Sequence, residues 1–187
     1  MCRMHKELCV CSEMPRFNFE TQIILVMHRR EHKKVTATGP LALHCLSNSE
    51  LLIHGNRDNK VDLNSLDFVN RRVLFLYPRA GAPNLSRDFH LKDNRPVTLI
   101  VPDGNWNQAA RMSRRLNGIR KAEFVTLPDG APTRWGLRKE TREGGLSTFE
   151  AIARSIGIIE SEAAEKQMLS FFDLMVGRVK KLRGNYN

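Results

Sequence analysis

Asp103 is the residue around which a chemical step can be built. It follows Val97, Leu99, Ile100 and Val101, an apolar run rich in β-branched residues that predicts a buried strand. Pro102-Asp103-Gly104-Asn105 breaks the run, and apolar residues return at helical spacing from Trp106, with Asn105 placed as the N-cap. A carboxylate between a strand end and a helix start stands where open α/β sheets bind ligands. The same aspartate can also be an Asx turn that does no more than start the helix, and spacing alone does not choose.

Two other groups of residues carry chemical potential. Cys2, Cys9 and Cys11 crowd the N-terminus, while Cys45 is distant. Without an export signal disulfides are disfavoured, and a zinc site, with a fourth ligand from His5, His44 or Cys45, competes with a simple reduced terminus. On the helix after Asn105, at about 100° per residue, Trp106, Ala109, Ala110, Ser113 and Leu116 share one arc. Arg111, Arg114 and Arg115 fall on the opposite arc, either as a solvated face or as a track for phosphates. His28, His32 and His54 are isolated, and no G-x-G-x-x-G, P-loop, G-x-S-x-G or H-E-x-x-H pattern is present.

The elements that must position these groups read as one α/β domain. Strands are predicted at Thr21–His28, Glu50–Ile53, Arg72–Tyr77, Val97–Val101 and Ala122–Leu127, with the charged RREHKK segment after the first read as loop. Thr38 or Gly39 can cap a helix that has Pro40 at its first position. Ser147 and Glu150 fit a capping box for a helix to about Ile156, and a last helix covers about Ser161–Lys181. Residues 129–146, rich in Gly, Pro and charge, predict a long functional loop. Strands separated by helices or long crossovers imply a mostly parallel sheet covered on both faces, residues 21–187, preceded by a Cys-rich extension, residues 1–20.

Composition narrows the partners. The 187-residue chain has a formal net charge of +10, with clusters at 29–34, 111–121 and 178–183, which favours nucleic acid over other polyanions. Only 7% of residues are aromatic, so phosphate contacts around one site fit better than a broad stacking platform. No apolar run reaches the roughly 18–20 residues of a membrane span, and the start has no signal-peptide pattern, so a cytoplasmic protein is expected.

Several short motifs stand in order along the chain. They are Cys2 with Cys9-Val10-Cys11, His28 with Glu31, Thr36-Ala37-Thr38-Gly39, and Tyr77-Pro78. Then come Asp103-Gly104-Asn105-Trp106 with Gln108-Ala109, Arg138-Lys139-Glu140, and Ser147-Thr148-Phe149-Glu150-Ala151. The ordered set resembles the DTW-domain family of SPOUT-related aminocarboxypropyltransferases over nearly the whole chain. Asn105 stands where that family has threonine. The first cysteine of the family's quartet would fall just before Met1, which implies a substitute ligand, a lost metal site or a start further upstream.

The resemblance implies transfer of the 3-amino-3-carboxypropyl group from S-adenosylmethionine to N3 of a uridine in tRNA. It implies Asp103 as the general base, with Trp106 walling the donor pocket or stacking on a base. Thr38, Gly39, Tyr77, Pro78, Gly104, Asn105, Ser147, Thr148 and Glu150 would surround the donor, and Arg138 would pair with its carboxylate or an RNA phosphate. Arg111, Arg114 and Arg115 would bind RNA, and Cys2, Cys9 and Cys11 would hold zinc. A SPOUT-like, trefoil-knotted sheet is implied as well. Two other functions share these features: a SPOUT-type S-adenosylmethionine-dependent RNA methyltransferase, and a non-catalytic zinc- and RNA-binding module.

Overall fold

Continuous apolar strands need cover on both faces, and the chain provides it with a parallel sheet between two layers. The computed structural model describes residues 4–34, 37–56, 60–136 and 145–184, with side chains to residue 181. Cys2, Thr36, Arg138, Lys139 and Glu140 therefore lie outside the described residues. The strands are β1 (Gln22–His28), β2 (Ser49–His54), β3 (Arg72–Leu76), β4 (Val97–Asp103) and β5 (Glu123–Val125). All pair in parallel, in the order β2-β1-β4-β3-β5.

Alternation along the strands divides the core in two. Ile23, Leu25, Met27, Leu74, Leu76, Leu99 and Val101 face one layer, built from α2 (Gly39–Leu43), α5 (Thr148–Ile159) and α6 (Glu162–Gly184). Ile24, Val26, Val73, Phe75 and Ile100 face the other, where α4 (Trp106–Arg115) and the turn after it supply Met112, Leu116 and Ile119. Phe149 of α5 stacks on Phe172 of α6, with centroids 4.7 Å apart, and locks the first layer. Residues 4–20 are packed onto this layer. Val10 is fully buried, and Arg178 of α6 donates to the Cys9 carbonyl and to Glu13.

Three features differ from the sequence reading. The RREHKK segment contains a one-turn helix, α1 (Arg29–His32), and another single turn, α3 (Arg87–His90), follows β3. β4 continues through Pro102 to Asp103. Its ladder with β3 has already ended at Ile100, so the missing proline N–H costs no rung on that side. On α4 the buried arc is Ala109, Met112, Ser113 and Leu116. That centre is rotated away from Trp106 and Ala110, which become half-buried margins of the helix.

Among the described residues no helix is long and apolar enough to cross a membrane.

Candidate active site

The crossover order brings the carboxyl ends of β1, β4, β3 and β5 to one edge of the sheet, with Met27 of β1 level with Asp103 of β4. A cleft of about 770 Å³ opens along this edge. The segments that leave the strands form its wall: Glu31, Lys34 and Thr38 after β1, Tyr77 and Pro78 after β3, residues 103–106 at the end of β4, and residues 126–132 after β5. The start of α5 closes the back. This is the ligand position expected of an open α/β sheet.

Asp103 is 7% exposed and lies in the cleft wall. Thr148, the first residue of α5, donates its hydroxyl to Asp103 Oδ1 at 2.7 Å. The other oxygen packs against Gly39, where a Cβ would come to 2.6 Å from Oδ2 and 2.8 Å from Leu25. Gly39 is therefore required for space: it lets the first turn of α2 close on the carboxylate. It lies beneath Asp103 and does not line the cleft. Thr38 does line it, yet its hydroxyl serves the fold, accepting the Phe149 N–H at 3.3 Å and so tying α2 to α5.

The β4–α4 junction is an Asx cap, and that does not remove Asp103 from the cleft. Asn105 is the capping residue. Its side-chain oxygen accepts the Gln108 N–H at 2.9 Å while Gln108 Oε1 accepts the Asn105 N–H at 2.8 Å. A Cβ on Gly104 would meet Gln108 Oε1 at 2.8 Å, so the glycine makes room for this box. Trp106, on the margin of α4, turns toward Tyr77, with ring centroids 6.5 Å apart and planes inclined by 56°. The two rings form the aromatic side of the cleft. Arg111, Arg114 and Arg115 are exposed on the outward arc of α4, leading away from Trp106.

Glu150 stands apart from the other expected donor contacts. It is 1% exposed and does not line the cleft. Its carboxylate accepts the Thr133 hydroxyl and Arg134 N–H, each at 2.6 Å, and the Ser147 N–H at 3.0 Å and hydroxyl at 2.7 Å. The capping box read from sequence is present, and it also fastens the loop that precedes it. Arg134 adds an ion pair to Asp173 of α6, and Trp135 stacks on Phe172 at 5.6 Å. Residues 133–135 after β5 are thus held in place.

Three cleft residues, Glu31, Ala151 and Arg154, were given no role in the site by the sequence reading. Glu31 looks like part of a solvated charge run but is 2% exposed, paired with Lys34 at 2.6 Å. The motif of His28 with Glu31 marked it without a role, and its place after the central strand β1 supplies one. Ala151 and Arg154 line the cleft from α5. Their spacing from Thr148, three and six residues, was available as a signal once the helix start was fixed. His28 and His54 are level across β1 and β2, outside the cleft. Burial lowers both pKa values, and for His28 the neighbouring His54, Arg30 and Arg29 add to the shift.

The described residues give the expected zinc site no support. Cys9 and Cys11 are half-buried, and Cys2 lies outside the described residues. Cys45 is buried, its thiol donating to the Leu41 carbonyl at 3.7 Å, and desolvation pushes its pKa up to about 12. Among the described residues no three His, Cys, Asp or Glu side chains gather in a metal-binding group.

Comparison with known proteins fixes the family. The DTW domain matches residues 1–180. This chain belongs to the DTW family. Relatives of the DTW chain named tRNA-uridine aminocarboxypropyltransferase 2 include one from Macaca fascicularis, 28% identical over 164 residues, and one from Mus musculus, 27% identical over 173. These alignments cover 85% and 90% of this chain. The DTW chain spans little more than half of those relatives' length, 55% and 58%. A third, from Drosophila melanogaster, is 25% identical over 90% of the chain and 68% of its own length. Among solved structures, the SAM-dependent rRNA:acp-transferase Tsr3 from Vulcanisaeta distributa superposes with a TM-score of 0.52. It is 15% identical, with 88% of this chain and 80% of that one covered, and so shares the fold.

Proposed function

We propose that the protein transfers the 3-amino-3-carboxypropyl group of S-adenosylmethionine to N3 of a uridine in tRNA. The observation that carries the reading is Asp103: a buried carboxylate aimed by Thr148, in the wall of the cleft at the sheet's carboxyl edge. Uridine N3 bears a proton and is a poor nucleophile until a base removes it. Asp103 takes that proton as the N3 electron pair forms its bond to the γ-carbon of the donor. The γ-carbon–sulfur bond breaks, its electrons pass to sulfur, and neutral methylthioadenosine leaves. Methyl and γ-carbon are activated by the same sulfonium, so orientation within the cleft decides which one reacts.

Tyr77 and Trp106 offer a surface for a base or for adenine. The exposed Arg111, Arg114 and Arg115, next along α4, fit the backbone of the RNA. The trefoil-knotted, SPOUT-like character belongs to the same reading. Its support is the interleaved sheet order, with β4 running between β1 and β3.

The test is incubation with unmodified tRNA and S-adenosylmethionine labelled in either the methyl or the carboxypropyl carbons. Carboxypropyl label should enter the tRNA with release of methylthioadenosine. Methyl label in the tRNA, with S-adenosylhomocysteine as the product, would make the protein a methyltransferase and end this proposal.

A further inference from the structure

Thr148, Ala151 and Arg154 are spaced by three along α5, and all three line the cleft. They form one column on the helix, about 9 Å from end to end. At one end Thr148 holds Asp103, where proton removal and bond formation would occur. Ala151, with a single methyl, leaves the middle open. At the far end the Arg154 guanidinium donates to the Ala131 carbonyl in the loop after β5, and a Cβ on Gly130 would lie 2.9 Å from its Nη1.

Among the described residues two cations line this cleft, Lys34 and Arg154. Lys34 is matched by the buried Glu31 carboxylate at 2.6 Å. Arg154 donates to a neutral carbonyl. Glu165 of α6 is near enough for Arg154 to lower its carboxyl pKa, although burial raises that pKa by more. The donor carries one negative group at its reactive end, the α-carboxylate, and a guanidinium fork recognises a carboxylate with paired hydrogen bonds.

We infer that Arg154 holds the α-carboxylate of the donor, so that the Thr148–Ala151–Arg154 column sets the direction of the aminocarboxypropyl chain. The inference rests on reading the cleft as the S-adenosylmethionine site. With its carboxylate at Arg154, the four-carbon chain runs along α5 over Ala151 and presents the γ-carbon at the Asp103 end. Anchoring the far end of the chain decides which carbon on sulfur faces the acceptor.

Arg154→Gln tests this, because the amide keeps an N–H for the Ala131 carbonyl while the charge and the fork are removed. Wild type and variant are titrated calorimetrically with S-adenosylmethionine, S-adenosylhomocysteine and methylthioadenosine, the last of which lacks the amino-acid end. The variant should lose at least about tenfold in affinity for the first two and stay within about twofold for the third. Arg154→Lys should recover part of the loss.

Unchanged affinity for S-adenosylhomocysteine in the Gln variant would overturn the inference. An equal loss for all three ligands would also overturn it, marking Arg154 as a support for the loop at 130–131. A wild-type protein that binds none of the three would bring down the proposed function itself. Binding of all three by wild type, without discrimination by the variant, brings down the Arg154 role alone.

Discussion

Asp103 and Glu150 flank the first turn of α5, and both are buried carboxylates. One accepts the hydroxyl of Thr148, the other the hydroxyl and N–H of the neighbouring Ser147. Yet Glu150 is enclosed by four donors from the helix start and the loop at 133–134, whereas Asp103 opens onto the cleft. Burial therefore does not by itself distinguish a carboxylate proposed to react from one that fastens. What separates them is whether the surroundings leave a face toward a ligand. The two groups predict opposite kinds of damage when altered.

The largest effect is expected at Asp103. Asp103→Asn should reduce turnover by about a hundred- to ten-thousand-fold while leaving donor affinity and the unfolding midpoint near wild type. Activity within a few-fold of wild type would make Asp103 a fastener like Glu150 and break the contrast. Glu150→Ala should do the reverse. Stranding the donors around it should lower stability by about 3–5 kcal/mol and the melting temperature by about 10 °C. A melting temperature unchanged within error would mean that the loop does not depend on this carboxylate.

Gly39→Ala tests whether Asp103 also needs its setting. The added methyl would meet Oδ2 at 2.6 Å and Leu25 at 2.8 Å, so either the carboxylate or the first turn of α2 must move. A stability loss of about 1–3 kcal/mol is expected, with a larger fall in turnover than in donor affinity. Full activity in this variant would show that the position of the carboxylate is not critical.

A smaller effect belongs to the surface. Replacing Arg111, Arg114 and Arg115 with alanine should weaken tRNA binding at low salt and reduce the salt slope by about one for each phosphate no longer neutralised. If neither affinity nor slope changes, that arc of α4 is only solvated. Donor affinity should be untouched.

The smallest effect sets the window for reading the others. Burial lowers the pKa values of His28, His54 and His90 below the ordinary 6.5. The unfolded chain then binds more protons near and below that pH. Stability from these residues is complete above about pH 6.5 and is lost as pH falls through their folded values. Thermal unfolding from pH 8 to pH 5 should show the decline, and a flat profile would remove it. Activity profiles that probe Asp103 therefore belong with a stability profile over the same range.

Much of this arrangement was legible in the chain. Burial on both faces gives β1, β3 and β4 continuous apolar runs, the edge strands β2 and β5 were read from shorter ones, and Asn105 and Ser147 marked the starts of α4 and α5 through the chemistry of their caps. The illegible part was decided by distant contacts. Thr38 looks like a cap for its own helix, yet its hydroxyl serves Phe149, far along the chain. Glu150 reads as a cap and, by resemblance, as a donor contact; its hold on the loop was illegible because Thr133 and Arg134 lie in a segment without periodicity. A one-turn helix such as α1 is too short to show a period, so the burial of Glu31, noted only as part of a motif in a charged loop, was not legible. Strand order leaves no local trace.

That order also has a temporal consequence. β1 and β3 are not neighbours; β4 stands between them and pairs with both. A chain emerging from the ribosome can pair β1 with β2, but β3 has no strand beside it until the segment from Val97 to Asp103 arrives. The strand that delivers the carboxylate is thus the keystone of the sheet, and long-range closures of this kind are slow. A truncated or half-folded product ending before Val97 would have neither a joined sheet nor Asp103. Uniting the sheet is not yet completing the cleft, whose remaining walls arrive with residues 126–132 and with Thr148 of α5.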